Sequence, residues 1–70
     1  MSLERVTQTT DQGRTFTFYR DRRSAAGYAM EFWRIESDRG MWPTPLSVTG
    51  NELPVFFQKL AKEAAEEHGL

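Results

Sequence analysis

The stretch from Leu53 to Ala64 constrains this chain most. Leu53, Phe56, Phe57, Leu60, Ala61 and Ala64 recur at i, i+3, i+4, i+7, i+8 and i+11, the spacing of one helical face. Gln58, Lys59, Lys62, Glu63, Glu66 and Glu67 fill the other face. The pattern predicts a helix over residues 51 to about 67, with Phe56 and Leu60 as its core anchors. Two N-terminal caps compete. Thr49 with Glu52 forms a capping box, but then Pro54 lies deep enough for its missing N–H to cost a hydrogen bond. With Asn51 as the cap, Pro54 falls in the first turn, where N–H groups have no helical partner, so Asn51 is preferred. Gly69 supplies a stop. A helix with one apolar face needs a surface to cover, and everything before it reads as sheet.

Four segments carry period-2 patterning. Residues 3–10 alternate weakly and are rich in threonine, which favours strands. Asp11-Gln-Gly13 reads as a turn. Residues 14–20 form the clearest strand, with Thr15, Thr17 and Tyr19 on one face and Phe16 and Phe18 on the other. Residues 21–26 read as a loop with an Arg-Arg-Ser tip. Residues 27–37 read as a long third strand, with Tyr28, Met30, Phe32 and Arg34 on one face. Ala29, Glu31, Trp33 and Ile35 lie on the other. Both faces hold large apolar groups, so the pattern leaves its buried side open. After the turn Asp38-Arg-Gly40, residues 42–48 place Trp42, Thr44, Leu46 and Val48 together. Pro43 and Pro45 cannot donate to a ladder, which predicts an edge strand or an irregular start. The short end of this segment, residues 45–49, leads straight into the helix. The fold class is therefore α+β: one domain over residues 1–70, a four-stranded antiparallel sheet followed by one C-terminal helix, with one sheet face left open.

Composition limits what such a fold can do. A 70-residue chain buries only about 60% of the surface its unfolded form exposes. Cysteine is absent, which excludes disulfides and thiolate zinc sites, and His68 is the only histidine. With nine aromatic residues to hide, the support left for so small a core is pairing, so a homodimer is expected. No apolar run approaches the ~20 residues of a membrane span. The N-terminus is polar beyond Leu3 and shows no signal peptide, so a cytoplasmic location is expected.

The residues offer little catalytic chemistry. His68 has no nucleophile near it in sequence and reads as a surface residue at a helix end. Turn formation and solvation account for Asp21, Glu36 and Asp38. No glycine cluster precedes the helix to cradle phosphate, and no metal-ligand spacing is present. No enzyme activity, cofactor, metal or small-molecule substrate is expected.

Arginine and aromatic residues interleave instead. Net charge is −1, yet all seven arginines fall in residues 1–42, against six acids. Arginine is the better planar partner for phosphates and bases, and aromatic faces stack the bases of single strands. Phe16, Phe18 and Phe32 are expected in the core. Trp33, of opposite parity to Phe32, is expected on the open face as a stacking platform or at a dimer contact. Arg14, Tyr19, Arg20, Arg22, Arg23 and Arg34 complete the candidate nucleic-acid-binding set.

The segment Leu46-Ser-Val-Thr-Gly-Asn-Glu-Leu-Pro-Val-Phe-Phe-Gln-Lys-Leu60 resembles the strand-to-helix part of positive-cofactor transcriptional coactivators and their bacterial relatives. Gly13-Arg-Thr-Phe-Thr-Phe18, with Gly27-Tyr28 and Glu36-Ser37, is similar to a Pur-alpha-type repeat. Both belong to a wider group that includes the Whirly proteins, and the resemblance spans residues 13–66. It implies a curved four-stranded sheet followed by a helix, two such units paired, and single-stranded DNA or RNA held across the sheets. The implied contacts lie around Arg14, Arg20, Trp33 and Arg34. The expected function is single-stranded nucleic-acid binding of low sequence specificity, in a transcription-related regulator. The rival expectation is a protein–protein adaptor on the same face, since interfaces also favour arginine and aromatic residues.

Overall fold

The computed structural model describes residues 2–44 and 54–70. Its elements are β1 (Ser2–Asp11), β2 (Arg14–Ala25), β3 (Tyr28–Ser37), β4 (Gly40–Pro43) and α1 (Pro54–Glu67). The strands form one antiparallel sheet in the order β1-β2-β3-β4, as the period-2 segments predict. The expected strand over residues 45–49 and the Thr49 and Asn51 caps lie outside the described residues.

Two tight hairpins set the register. Gln12 and Gly13 take φ of 49° and 78°, and Ala26 and Gly27 take 52° and 81°. Two successive left-handed residues match the right-handed twist of the strands they join. The second hairpin corrects the expected loop over residues 21–26. β2 continues to Ala25 and the chain reverses only at Ala26–Gly27. The run Asp21-Arg-Arg-Ser24 looks like a loop because it lacks apolar alternation. It is strand because β3 pairs with it from Asp21↔Phe32 to Ala25↔Tyr28.

Register also decides which side chains share a face. Phe18 lies opposite Ile35 and Arg20 opposite Trp33, while Tyr19 faces Arg34 and Asp21 faces Phe32. The buried set Phe16, Phe18, Trp33 and Ile35 is therefore one face, and Tyr19, Asp21, Phe32 and Arg34 belong to the other. This overturns the expectation for β3: Trp33 is 4% exposed and Phe32 is 46% exposed. A bulge between Arg5 and Thr7 switches the parity of β1, so Arg5 and Thr7 point to opposite faces.

Helix α1 lies on the Phe16 face and buries Phe57, Leu60, Ala61 and Ala64. Leu60 anchors the core as expected. The second anchor is Phe57, with Phe56 only partly buried beside it. Phe57 wins because its ring fits between two aromatic partners, 4.8 Å from Phe18 and 5.8 Å from Trp33. Gln58 ties the helix to the end of β1, donating to the Thr10 carbonyl at 3.1 Å and to Asp11 Oδ1 at 3.2 Å. The helix stops as Gly69 predicts. Gly69 turns left-handed at φ 68°, and the Leu70 amide reaches back to the Ala65 carbonyl at 2.8 Å.

Candidate nucleic-acid interface

The face away from α1 is built around one carboxylate. Asp21 follows Tyr19 by two residues on β2, so the pleat aims it at the open side. Its side chain is nevertheless only 3% exposed. Arg23, two residues on, donates to Asp21 Oδ2 through Nη2 at 2.8 Å and Nε at 3.1 Å. Arg34, from β3, places Nε 3.8 Å from the same oxygen, an ion pair rather than a hydrogen bond. Asp21 Oδ1 is buried with no hydrogen-bond partner among the described residues. The hydrogen bond from Arg23 holds the carboxyl below its ordinary pKa, with the charges of Arg23 and Arg34 adding to it against the opposing effect of burial.

The same guanidinium serves an aromatic ring. Arg23 Cζ lies over Phe32, 5.5 Å from the ring centroid. Phe32 is thereby flanked by Arg23 while nearly half its surface meets solvent. Two adjoining hollows share Arg23 and Arg34. One, of about 120 Å³, is completed by Phe32 and Pro43. The other, of about 350 Å³, is completed by Leu3, Asp21 and Met41. Further along, the Tyr19 hydroxyl donates to Glu36 Oε1 at 3.0 Å, which raises the tyrosine pKa because the carboxylate favours the protonated phenol. Tyr28, of the same β3 parity as Phe32, is 73% exposed near the hairpin tip.

The covered face treats its arginines differently. Arg20 lies over the Trp33 ring at 5.4 Å and bridges Glu4 at 3.1 Å and Glu31 at 3.4 Å. Its hydrogen bond holds Glu4 below the ordinary carboxylate range. Arg14 pairs with Asp38 across the ends of β2 and β3. Arg22 is exposed and lies opposite Glu31 in register.

The seven candidate residues therefore separate. Tyr19, Arg23 and Arg34 meet on the open face, whereas Arg14, Arg20, Arg22 and Trp33 belong to the helix side. Trp33 cannot stack a base, because it is packed against the tilted Phe57 ring and only 4% of it reaches solvent. Asp21, expected in a solvated loop, is the buried centre of the open face instead. His68, expected at the surface, is half-buried and stacks on Trp42 at 4.0 Å with the rings 11° apart. Sequence reasoning missed Phe32, Arg5 and Asp21 as open-face residues. A signal for Phe32 existed: Trp33 shares parity with Ile35 and Phe32 with Arg34, and isoleucine is the safer marker of a buried side.

No group of metal-ligating side chains occurs among the described residues. Among them, no helix is long and apolar enough to cross a membrane. Compared with protein-family models, curated proteins and solved structures, the chain matches none.

Proposed function

We propose that the open face binds single-stranded nucleic acid with little sequence preference. The observation that carries this reading is Phe32, half-exposed on a sheet face, with Arg23 over its ring and Arg34 beside it. The guanidinium over the ring and the part of the ring left exposed offer a base a stacking surface, and Arg34 offers the backbone phosphates a partner. Tyr28 extends the stacking row toward the hairpin tip, and Arg5 adds positive charge on β1. The contacts expected at Trp33 pass to Phe32; Arg14, Arg20 and Arg22 are left as peripheral charge.

The test is fluorescence anisotropy with a mixed-sequence single-stranded DNA, the matching RNA and a duplex, over a salt series. Single strands should bind, with affinity falling linearly in log salt. Arg34→Gln should weaken binding for every sequence and flatten that slope. No binding at tens of micromolar protein and low salt would overturn the reading.

One observation favours a second reading. Leu3, Met30, Phe32 and Met41 are all substantially exposed and share the open face, an apolar grouping that suits a protein partner. A protein–protein adaptor would keep its affinity at salt concentrations that release nucleic acid. Pairing of two copies, expected from the small core, is tested by sedimentation, where a species of 8.1 kDa at high micromolar concentration would exclude it.

A further inference from the structure

We infer that Asp21 is a positioning residue that holds Arg23 over Phe32, so that this acidic side chain promotes the binding of a polyanion. The inference rests on the nucleic-acid reading of the open face and deepens it. Charge alone predicts the opposite sign: an aspartate at the centre of an anion-binding face repels phosphate, and removing it should tighten binding.

The geometry argues otherwise. Arg23 donates to one oxygen of Asp21, Oδ2, through both Nε and Nη2, which restricts the swing of its guanidinium more than a single hydrogen bond would. That restrained guanidinium is the one lying over Phe32. Arg34 approaches the same carboxylate oxygen from the neighbouring strand, so one negative charge gathers two positive ones. The cluster stays net positive by one charge. A free arginine holds rotamer entropy that a ligand would otherwise have to remove on binding. Burial of Asp21 keeps water from the carboxylate, while Arg23 and Arg34 stay partly open to a ligand. The hollows on either side both use Arg23 and Arg34 as walls, so a shift of either guanidinium alters both.

The experiment measures oligo(dT) and oligo(rU) binding by anisotropy over a salt series for wild type, Asp21→Asn and Arg23→Lys. Asp21→Asn raises the net charge by one unit and keeps the side-chain shape. It should bind several-fold more weakly than wild type at every salt concentration. Arg23→Lys keeps the charge but loses the planar fork; it should bind several-fold more weakly with an unchanged salt slope. Should Asp21→Asn fail to fold by circular dichroism, Arg23→Lys alone decides. Asp21→Asn binding as tightly as wild type or tighter overturns the inference, and so does Arg23→Lys with wild-type affinity. In either case wild-type binding leaves the nucleic-acid reading standing. A wild type that binds no strand removes both.

Discussion

Phe32 and Trp33 are neighbours in sequence with opposite fates. Trp33 lies against Phe57 under the helix, and its indole N–H is buried without a hydrogen-bond partner among the described residues. Phe32 stands on the far side of the same strand with Arg23 across it. The larger, more polar ring is inside and the smaller, purely apolar one is outside. An aromatic side chain with a hydrogen-bonding group usually ends where that group can be wetted. Here register overrides that preference: Trp33 shares its face with Ile35 and Phe18, and moving it out would turn Ile35 out as well. The two faces also use arginine differently. Arg20 bridges two carboxylates, Glu4 and Glu31, at the edge of the core, whereas Arg23 and Arg34 share one carboxylate and keep a net positive charge.

The largest expected effect tests this contrast directly. Trp33→Ala should lower the unfolding free energy by about 3–5 kcal/mol, as for other buried large-to-small changes. Phe32→Ala should cost less than about 1 kcal/mol of stability and instead weaken strand binding by ~1–3 kcal/mol. Urea unfolding and anisotropy on the same two variants check both. Equal stability losses would mean the faces are wrongly assigned.

A second pair sharpens the picture of the covered side. Phe57→Ala should lower the unfolding free energy by the same order, about 3–5 kcal/mol, and Phe56→Ala by clearly less, since only the former ring is enclosed. The reverse ranking would mean that the helix turns a different face to the sheet.

Titration separates the acids of both faces from the phenol by sign. Asp21 and Glu4 have folded-state pKa values below their unfolded ones, so their contribution is fully present above the unfolded carboxylate pKa of about 4. It is lost as pH falls through the folded values. Tyr19 is raised, so its contribution is present below about pH 10 and lost as pH rises through the folded value. Thermal unfolding across pH should therefore show an acid arm that Glu4→Gln flattens and an alkaline arm that Tyr19→Phe flattens. An alkaline arm unchanged in Tyr19→Phe would exclude the bond to Glu36. The smallest effect belongs to an exposed pair: Asp38→Asn should change stability by less than about 1 kcal/mol, because solvent screens its bond to Arg14.

The element order was legible because each signal was local. The helical stripe, the glycine turns and the threonine–phenylalanine alternation of β2 are all written within a few residues. What was not legible depended on pairing. The parity switch at the β1 bulge makes residues 3–10 look weakly patterned, since their alternation changes phase near Val6. The second half of β2 is polar on both faces, so only its partner strand reveals it as strand. Asp21 looked like a turn residue because two arginines that neutralise it are separated in sequence by eleven positions. The choice between Phe56 and Phe57 was hidden because both fit a helical face, and the rings of Phe18 and Trp33 decide between them.

The mismatch in length between strand and helix has a mechanical consequence. β2 has 12 residues and spans about 40 Å, whereas the 14 residues of α1 span about 21 Å. The core ends near Trp33, and every side chain described between Arg22 and Met30 is exposed. The sheet is thus a stiff plate continued by a cantilevered two-stranded ribbon, and two-stranded ribbons are marginal on their own. Amide protons of the ribbon should exchange through small local openings while those beside Phe18 and Ile35 wait for global unfolding. Asp21, Phe32 and Arg34 sit at the root of that cantilever, where a bound strand would be gripped by rigid groups at one end and followed by compliant ones at the other.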